Sequence, residues 1–235
     1  MNLSVLTSDT PHHRYFLNKI NEKHKIDSVF YETKSLKPKF DNSSPFEAEE
    51  IKFERKEFFK NCPDTLIDVD SFFFESLNSK EAVFKLNSRQ PNIGVVFGTG
   101  KLSTNVIGQF SDHLMNIHRG IPQKYRGLDS DLWAILNDDF ANLGTTLHLV
   151  EPDLDTGNII GQRILEINKT MRTYMIRYYT TLIATDLVIK ALDDYKFGTL
   201  KHFPQETLGD YYSFMDKDKK IKANQKFISY CKNIK

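Results

Sequence analysis

Apolar positions recur along the chain at two periods, and the change from one to the other marks its elements. Met1 to Thr7 is a short mixed apolar run that predicts a strand, and Pro11 then opens a stretch with Tyr15, Phe16, Leu17 and Ile20 at helical spacing. Ile26 to Tyr31 predicts a second strand, so the chain opens as β-α-β, the unit from which parallel sheets are built. Lys34 to Pro45 reads as a loop, and Phe46 to Lys60 as a charged helix with one packed face and a solvated remainder. Thr65 to Val69 predicts a third strand, Asn78 to Ser88 a helix, and Gly94 to Phe97 a buried strand that runs into Gly98-Thr99-Gly100. Ser103 is placed to cap a short helix reaching Phe110, and Leu114 to Ile117 follows as a strand.

Beyond the loop Arg119 to Gly127, Asp129 is expected to cap a helix through Leu136. Strands are expected at Thr145 to Val150 and at Ile159 to Ile167, on either side of the turn Asp155-Thr156-Gly157. Thr170 opens a long periodic segment, Met171 to Tyr195, with Gly198 placed to end it. The pattern loosens from Leu200 to Met215, and the seven lysines between Asp216 and Lys235 read as a solvated terminus. Strands alternating with helices at this spacing predict an α/β fold, Rossmann-like, with a mostly parallel sheet and flanking helices.

The 235 residues allow one large domain with an appendix, and a hydrophobic fraction of 40% is enough for a substantial core. A formal net charge of +1 supplies no global field for gathering the phosphates of a polynucleotide, which argues against nucleic acid as the main partner. No signal-peptide pattern opens the chain and no run reaches the roughly 18 apolar residues of a membrane span, so a soluble, cytoplasmic protein without membrane partners is expected. Cys62 and Cys231 suggest neither a disulfide framework nor a zinc site, and both read as reduced, structural cysteines.

The most informative stretch is Asn116-Ile117-His118-Arg119-Gly120-Ile121-Pro122-Gln123-Lys124-Tyr125-Arg126-Gly127. On a strand, residues i and i+2 share a face, so Asn116 and His118 point together while Ile117 faces the core. Ligand sites in open α/β sheets lie beyond the carboxyl ends of strands, and Gly120 and Pro122 stop this strand there. Farther on, Trp133-Ala134-Ile135-Leu136-Asn137, Gly144-Thr145-Thr146-Leu147-His148 and Leu154-Asp155-Thr156-Gly157-Asn158-Ile159-Ile160 follow in order.

Taken together, these motifs resemble the folate-dependent formyltransferase superfamily, most clearly from Gly94 to Gln162. The resemblance implies transfer of a formyl group from 10-formyltetrahydrofolate to an amine, with no metal, and with Asn116, His118 and Asp155 as the catalytic residues. It also implies a formyltransferase catalytic domain over 1–195, a short C-terminal extension over 196–235, and folate binding by Phe97, Gly98 and Thr99. The chemistry is coherent on physical grounds. Attack of an amine on a formyl carbon builds negative charge on oxygen, which the Asn116 amide and a protonated His118 can stabilise as donors. Asp155 would favour the protonated imidazole and take the amine proton, directly or through water. Arg119-Gly120-Ile121 stands where many relatives have Pro-Ser-Leu, and His148 reads as a packed or surface histidine.

The superfamily includes enzymes acting on a purine precursor, on initiator tRNA and on nucleotide-linked sugars. Ser8 to Arg14 contains no glycine with which to build a phosphate loop of the purine-enzyme kind, which disfavours glycinamide ribonucleotide. The few residues after the catalytic turn and the near-neutral charge disfavour methionyl-tRNA. The opening Asp9-Thr10-Pro11-His12-His13-Arg14-Tyr15 and the late Gly209-Asp210-Tyr211-Tyr212-Ser213-Phe214-Met215 resemble short bacterial sugar N-formyltransferases, in particular those acting on dTDP-4-amino-4,6-dideoxyglucose in O-antigen and lipopolysaccharide assembly. In that reading His12, His13 and Arg14 meet a diphosphate at a helix N-terminus, Tyr211 and Tyr212 stack on a base, and the assembly is a homodimer. The alternatives are another amine, or a non-catalytic folate- or nucleotide-binding protein; the latter has no need of an amide, an imidazole and a carboxylate together.

Overall fold

The computed structural model describes residues 1–34, 36–61 and 63–234. The expectation for Cys62 therefore lies outside the described residues. The chain forms β1 (Leu3–Thr7), α1 (Pro11–Lys23), β2 (Ser28–Glu32), α2 (Glu47–Phe58), β3 (Ser71–Phe74), α3 (Lys80–Arg89), β4 (Ile93–Phe97) and α4 (Thr104–Ile107). Then follow β5 (His113–His118), β6 (Tyr125–Gly127), α5 (Ser130–Leu136), β7 (Gly144–Leu149), β8 (Ile159–Ile164), α6 (Ile176–Lys196), β9 (Asp210–Tyr212) and α7 (Lys217–Asn233).

Among the described residues, seven strands form one sheet in the order β3-β2-β1-β4-β5-β7-β8. The first five run parallel, and β7 and β8 complete the edge antiparallel. This is the α/β, mostly parallel architecture expected from the alternation of elements. β1 and β4 are buried along their whole length, as central parallel strands must be when helices cover both faces. On one face Phe16, Leu17 and Ile20 of α1 and Ala184, Val188 and Leu192 of α6 close over the sheet. Chain order runs outward from β1 through β2 to β3 and from β4 to β5 on the other side, so the switch point lies between β1 and β4.

Four expectations are corrected by packing. The third strand is Ser71–Phe74 rather than Thr65 to Val69, because its aromatic rings pair across the sheet: Phe73 stacks on Tyr31 at 4.7 Å and Phe72 meets Phe30 at 5.2 Å. Asp129 precedes α5 with φ +50 and makes no side-chain cap; its carboxylate accepts from the Met215 N–H at 2.9 Å. Thr170 bonds Asn168, so α6 starts later, after a 3₁₀ turn at Thr173–Met175, and Gly198 follows its end with φ +68. The lysine-rich end is a helix, α7, capped by Asp216 and burying Ala223, Phe227 and Cys231 beside α5. The lysines had hidden an i, i+4, i+8 stripe. The buried, unbridged Cys231 belongs to this core. The described residues from 196 to 234 thus share one core with the rest, and β9 pairs parallel with β6.

Candidate active site

The carboxyl ends of the parallel strands β1, β4 and β5 lie side by side at one edge of the sheet. The Thr7 hydroxyl donates to the Phe97 carbonyl at 2.8 Å and the Ser8 hydroxyl to the Gly98 carbonyl at 2.7 Å, which ties the ends of β1 and β4 together. Gly98 has φ +77, and a β-carbon there would strike the His13 imidazole, so the loop tolerates glycine alone. Phe97, Gly98 and Thr99 thus stand at the carboxyl end of β4, beside the switch point.

On β5, Asn116 and His118 do share a face, and sheet register adds a third group to it. Antiparallel pairing sets Asn116 opposite His148 and His118 opposite Thr146. The Asn116 amide nitrogen lies 3.1 Å from His148 Nε2 and 3.4 Å from Asp155 Oδ1. His148 Nε2 is 3.3 Å from the same Asp155 oxygen, while His118 Nδ1 is 3.3 Å from Asp155 Oδ2. His148 is packed, 2% exposed, and its ring belongs to this cluster. The residue missed in the sequence had a signal, since Thr146 and His148 alternate onto the face that Asn116 occupies.

Asp155 reaches this position by an unusual backbone. Its φ of +56 is the left-handed conformation that Asp tolerates better than most residues. The side-chain amide of Gln205 donates to the carbonyls of Asp155 at 2.9 Å and Gly157 at 2.8 Å, clamping the turn from both sides. The backbone N–H of Gly127 donates to Asp155 Oδ2 at 2.7 Å. Nothing in the sequence around Gln205 marks it out.

Burial alone would raise the Asp155 pKa, but His118, His148 and the Gly127 N–H outweigh it and hold the carboxyl at about 2. Burial is the strongest influence on His118 and lowers its pKa below the ordinary imidazole value; the Asp155 charge offsets part of this. The protonated resting His118 expected from the sequence is corrected accordingly: near neutral pH the ring carries one proton. Nε2 faces the Tyr125 carbonyl at 2.8 Å, which can only accept, so the proton sits on Nε2. The Nδ1 lone pair and Asp155 Oδ2 then face each other across 3.3 Å with a proton position open between them.

The expected substrate-binding residues separate. His12 and His13 are buried, both accept or donate at the Thr10 hydroxyl at 2.9 Å, and burial with nearby positive charge lowers both pKa values well below the ordinary value. They are neutral rings packed on Phe97, not a charged anion cradle; His13 Nε2 is buried without a partner beside Gly98. The Arg14 guanidinium is occupied by Asp9 at 2.6 Å and Asp64 at 3.1 Å. Tyr212 packs against Tyr125 and Trp133, whereas Tyr211 is exposed and lies over Gly127. The orphaned His13 nitrogen beside a glycine loop suits a ligand that brings its own hydrogen-bonding ring. Among the described residues no group of three or more His, Cys, Asp or Glu is placed to hold a metal ion, and no helix is long and apolar enough to cross a membrane.

A second buried polar cluster lies under α1, α2 and α6. Arg177 bonds Glu54 at 2.6 and 2.8 Å and Glu50 at 2.8 Å. Burial raises Glu50 to about 7 despite the attraction of Arg177. The packed face of α2 therefore carries two carboxylates beside Phe58.

Residues 5–181 match the family described as formyl transferase. The methionyl-tRNA formyltransferase of Roseiflexus castenholzii is 32% identical over 133 residues, 56% of this chain and 42% of that protein. The chain thus spans about two fifths of the length of the curated relatives it matches. Among solved structures, a sugar N-formyltransferase from a Shewanella species superposes with a TM-score of 0.64 at 13% identity, covering 97% of this chain and 87% of that one. The formyltransferase PseJ from Anoxybacillus kamchatkensis, solved with UDP-4,6-dideoxy-4-formamido-L-AltNAc and tetrahydrofolate, gives 0.58 at 18% identity, covering 98% and 100%. The N-formyltransferase from Helicobacter canadensis, solved with folinic acid and dTDP-3-aminofucose, gives 0.57 at 17%, covering 97% and 80%. At these identities the structural likeness is one of fold.

Proposed function

The chain belongs to the formyl transferase family, and on that premise we propose that it transfers a formyl group from 10-formyltetrahydrofolate to the amino group of a nucleotide-linked sugar, dTDP-4-amino-4,6-dideoxyglucose in O-antigen assembly being the substrate of choice. The observation that carries the proposal is the cluster in which Asn116, His118 and His148 each come within 3.4 Å of the Asp155 carboxylate. Phe97, Gly98 and Thr99 hold the folate, whose contribution is the activated formyl group.

The chain's own groups supply the rest. Both Asn116 N–H groups are directed at neighbours in this arrangement, and the 3.4 Å contact to Asp155 is the weaker, so it is the one a developing oxyanion displaces. Donation from Asn116 then stabilises charge that forms only in the transition state. The open proton position between His118 Nδ1 and Asp155 Oδ2 receives the amine proton, and the Asp155 charge stabilises the imidazolium as it forms; as the bond from the formyl carbon to the folate N10 breaks, the imidazolium gives that proton to N10 and tetrahydrofolate leaves. His148 orients Asn116 from the opposite strand, with its own Nδ1 2.7 Å from the Leu149 carbonyl. Residues 1–195 are the catalytic part, and the segment beyond contributes the Gln205 clamp and the exposed Tyr211 face for a base.

A nucleotide sugar is supported by the Asp9 to Tyr15 and Gly209 to Met215 stretches and the net charge of +1. A second reading, methionyl-tRNA, draws on the names of the curated relatives. The deciding experiment incubates the chain and 10-formyltetrahydrofolate with nucleotide-linked amino sugars, charged initiator tRNA and glycinamide ribonucleotide, scored by mass. A formyl gain on the dTDP-linked 4-amino sugar is expected. Efficient turnover of charged tRNA would overturn the assignment.

A further inference from the structure

Each of the other seven arginines bonds a carboxylate or a backbone carbonyl, and Arg119 alone makes no hydrogen bond or ion pair among the described residues. It is half-buried and directly follows His118 at the end of β5. None of its side-chain nitrogens is buried without a partner, so its five N–H donors face water and are open to an incoming acceptor.

The backbone carrying this side chain is held in place. The Gly120 carbonyl accepts from the Thr146 hydroxyl at 2.8 Å, and a β-carbon at Gly120 would strike the His118 ring and Ser130. Arg119 is therefore pinned between a sheet strand and a glycine that only this tight turn requires. Its charge reaches His12 and His13 in the first turn of α1 and Glu50 in the first turn of α2. Of the acidic groups there, Glu50 and Glu54 are taken by Arg177 at 2.8 Å or less, and Asp131, whose charge also reaches His118 and Glu50, accepts from the Leu132 N–H at 2.9 Å. Asp155 is surrounded by His118, His148 and the Gly127 N–H. His13 Nε2, by contrast, is a buried donor or acceptor without a partner.

We propose that Arg119 is the anion-binding side chain of the acceptor subsite, taking an oxyanion that the amine-bearing substrate carries. The inference rests on the acceptor reading given above, in which that oxyanion is a phosphate of the nucleotide. It replaces Arg14, whose guanidinium is spent on Asp9 and Asp64. A planar fork of donors suits a phosphate or a carboxylate bidentately, and its position beside His118 couples anchoring of the anion to orientation of the amine.

The test is calorimetric titration of the whole chain and of Arg119→Ala and Arg119→Lys with pyrophosphate, with dTDP and with folinic acid, none of which requires turnover. Loss of a charge-assisted hydrogen bond corresponds to a change of roughly 10- to 100-fold in affinity. Arg119→Ala should weaken dTDP and pyrophosphate by that factor and leave folinic acid unchanged, with Arg119→Lys in between because it keeps the charge and loses the fork. Unaltered dTDP affinity in a folded Arg119→Ala protein, a loss confined to folinic acid, or no binding of either phosphate probe by the unsubstituted chain overturns the inference. If dTDP binding depends on Arg119 while no nucleotide sugar is formylated, the substrate assignment fails and the anion subsite stands.

Discussion

Among the described residues, the buried polar clusters around Arg177 and Asp155 are built on opposite principles. Around Arg177 the contacts to Glu50 and Glu54 are 2.6 to 2.8 Å, so the guanidinium is filled and both carboxylates are answered. Around Asp155 the side-chain contacts are 3.1 to 3.4 Å, one proton position is open, and the central residue sits in a left-handed backbone conformation. The first cluster is closed and resists change. The second has unused bonding capacity, and reactive sites need that capacity because their strongest interactions must form in the transition state. Burial is common to both, so burial of charge alone does not locate a site.

The largest expected effect is at Asp155. Asp155→Asn keeps size and removes the charge that assists proton uptake, and general acid–base partners contribute about 10²- to 10⁴-fold, so kcat should fall within that range while the protein stays folded. The pH profile sharpens the comparison. Because burial already lowers the His118 pKa and the Asp155 charge offsets part of that, removing the charge must lower it further. The acid limb of kcat/KM in the unsubstituted enzyme should therefore lie below pH 6.5 and move lower still in Asp155→Asn. Near wild-type turnover across neutral pH in the folded variant would assign the chemistry to Asn116 and His118 alone.

The next effect belongs to the closed cluster and should appear in a different observable. Arg177→Met strands two carboxylates in the interior, and breaking a buried ion pair from one side costs about 3–5 kcal/mol. Urea unfolding should register that loss. Replacing Glu50 and Glu54 by Leu in the same chain should recover most of it, since the cost is the uncompensated charge rather than the absent bond. Turnover of the folded fraction should stay near wild type. A large fall in kcat at unchanged stability would mean that the two clusters are one site.

The contrast also explains what the sequence revealed. Asn116 and His118 were legible because a strand repeats every two residues, and the catalytic turn because its motif is contiguous. His148 escaped because its place depends on the antiparallel register of β7 against β5, which the spacing within one strand does not specify. β3 was set in Thr65 to Val69 rather than Ser71–Phe74 since both runs suit a strand and only the aromatic pairing with β2 chooses between them. Glu50, Glu54 and Arg177 come from helices 123 residues apart at the bond between Glu54 and Arg177, and charges on a helix normally signal a solvated face. Local periodicity was readable; pairing between distant elements was not.

The smallest effect tests whether the loose cluster depends on a rigid support. Gln205 comes from the segment in which the sequence pattern fades, yet its amide bridges the carbonyls on both sides of the strained Asp155 turn. Leaving a buried acceptor unsatisfied costs about 1–3 kcal/mol, so Gln205→Met, which keeps length and removes both donors, should lower the Tm modestly. Because the turn aims Asp155 at His118, kcat should also fall, by about tenfold, with the acid limb shifting in the direction seen for Asp155→Asn but less far. Gln205→Glu should be worse than Gln205→Met, since it sets a carboxylate oxygen against two carbonyls, and Gln205→Asn, one methylene shorter, should not restore the bridge. If Gln205→Met loses stability with kcat and pH profile unchanged, the clamp serves only the fold, and the open geometry of the cluster owes nothing to it. A shifted acid limb would instead identify Gln205 as a positioning residue, through which the C-terminal segment sets the distance between the proton acceptors at the catalytic strand.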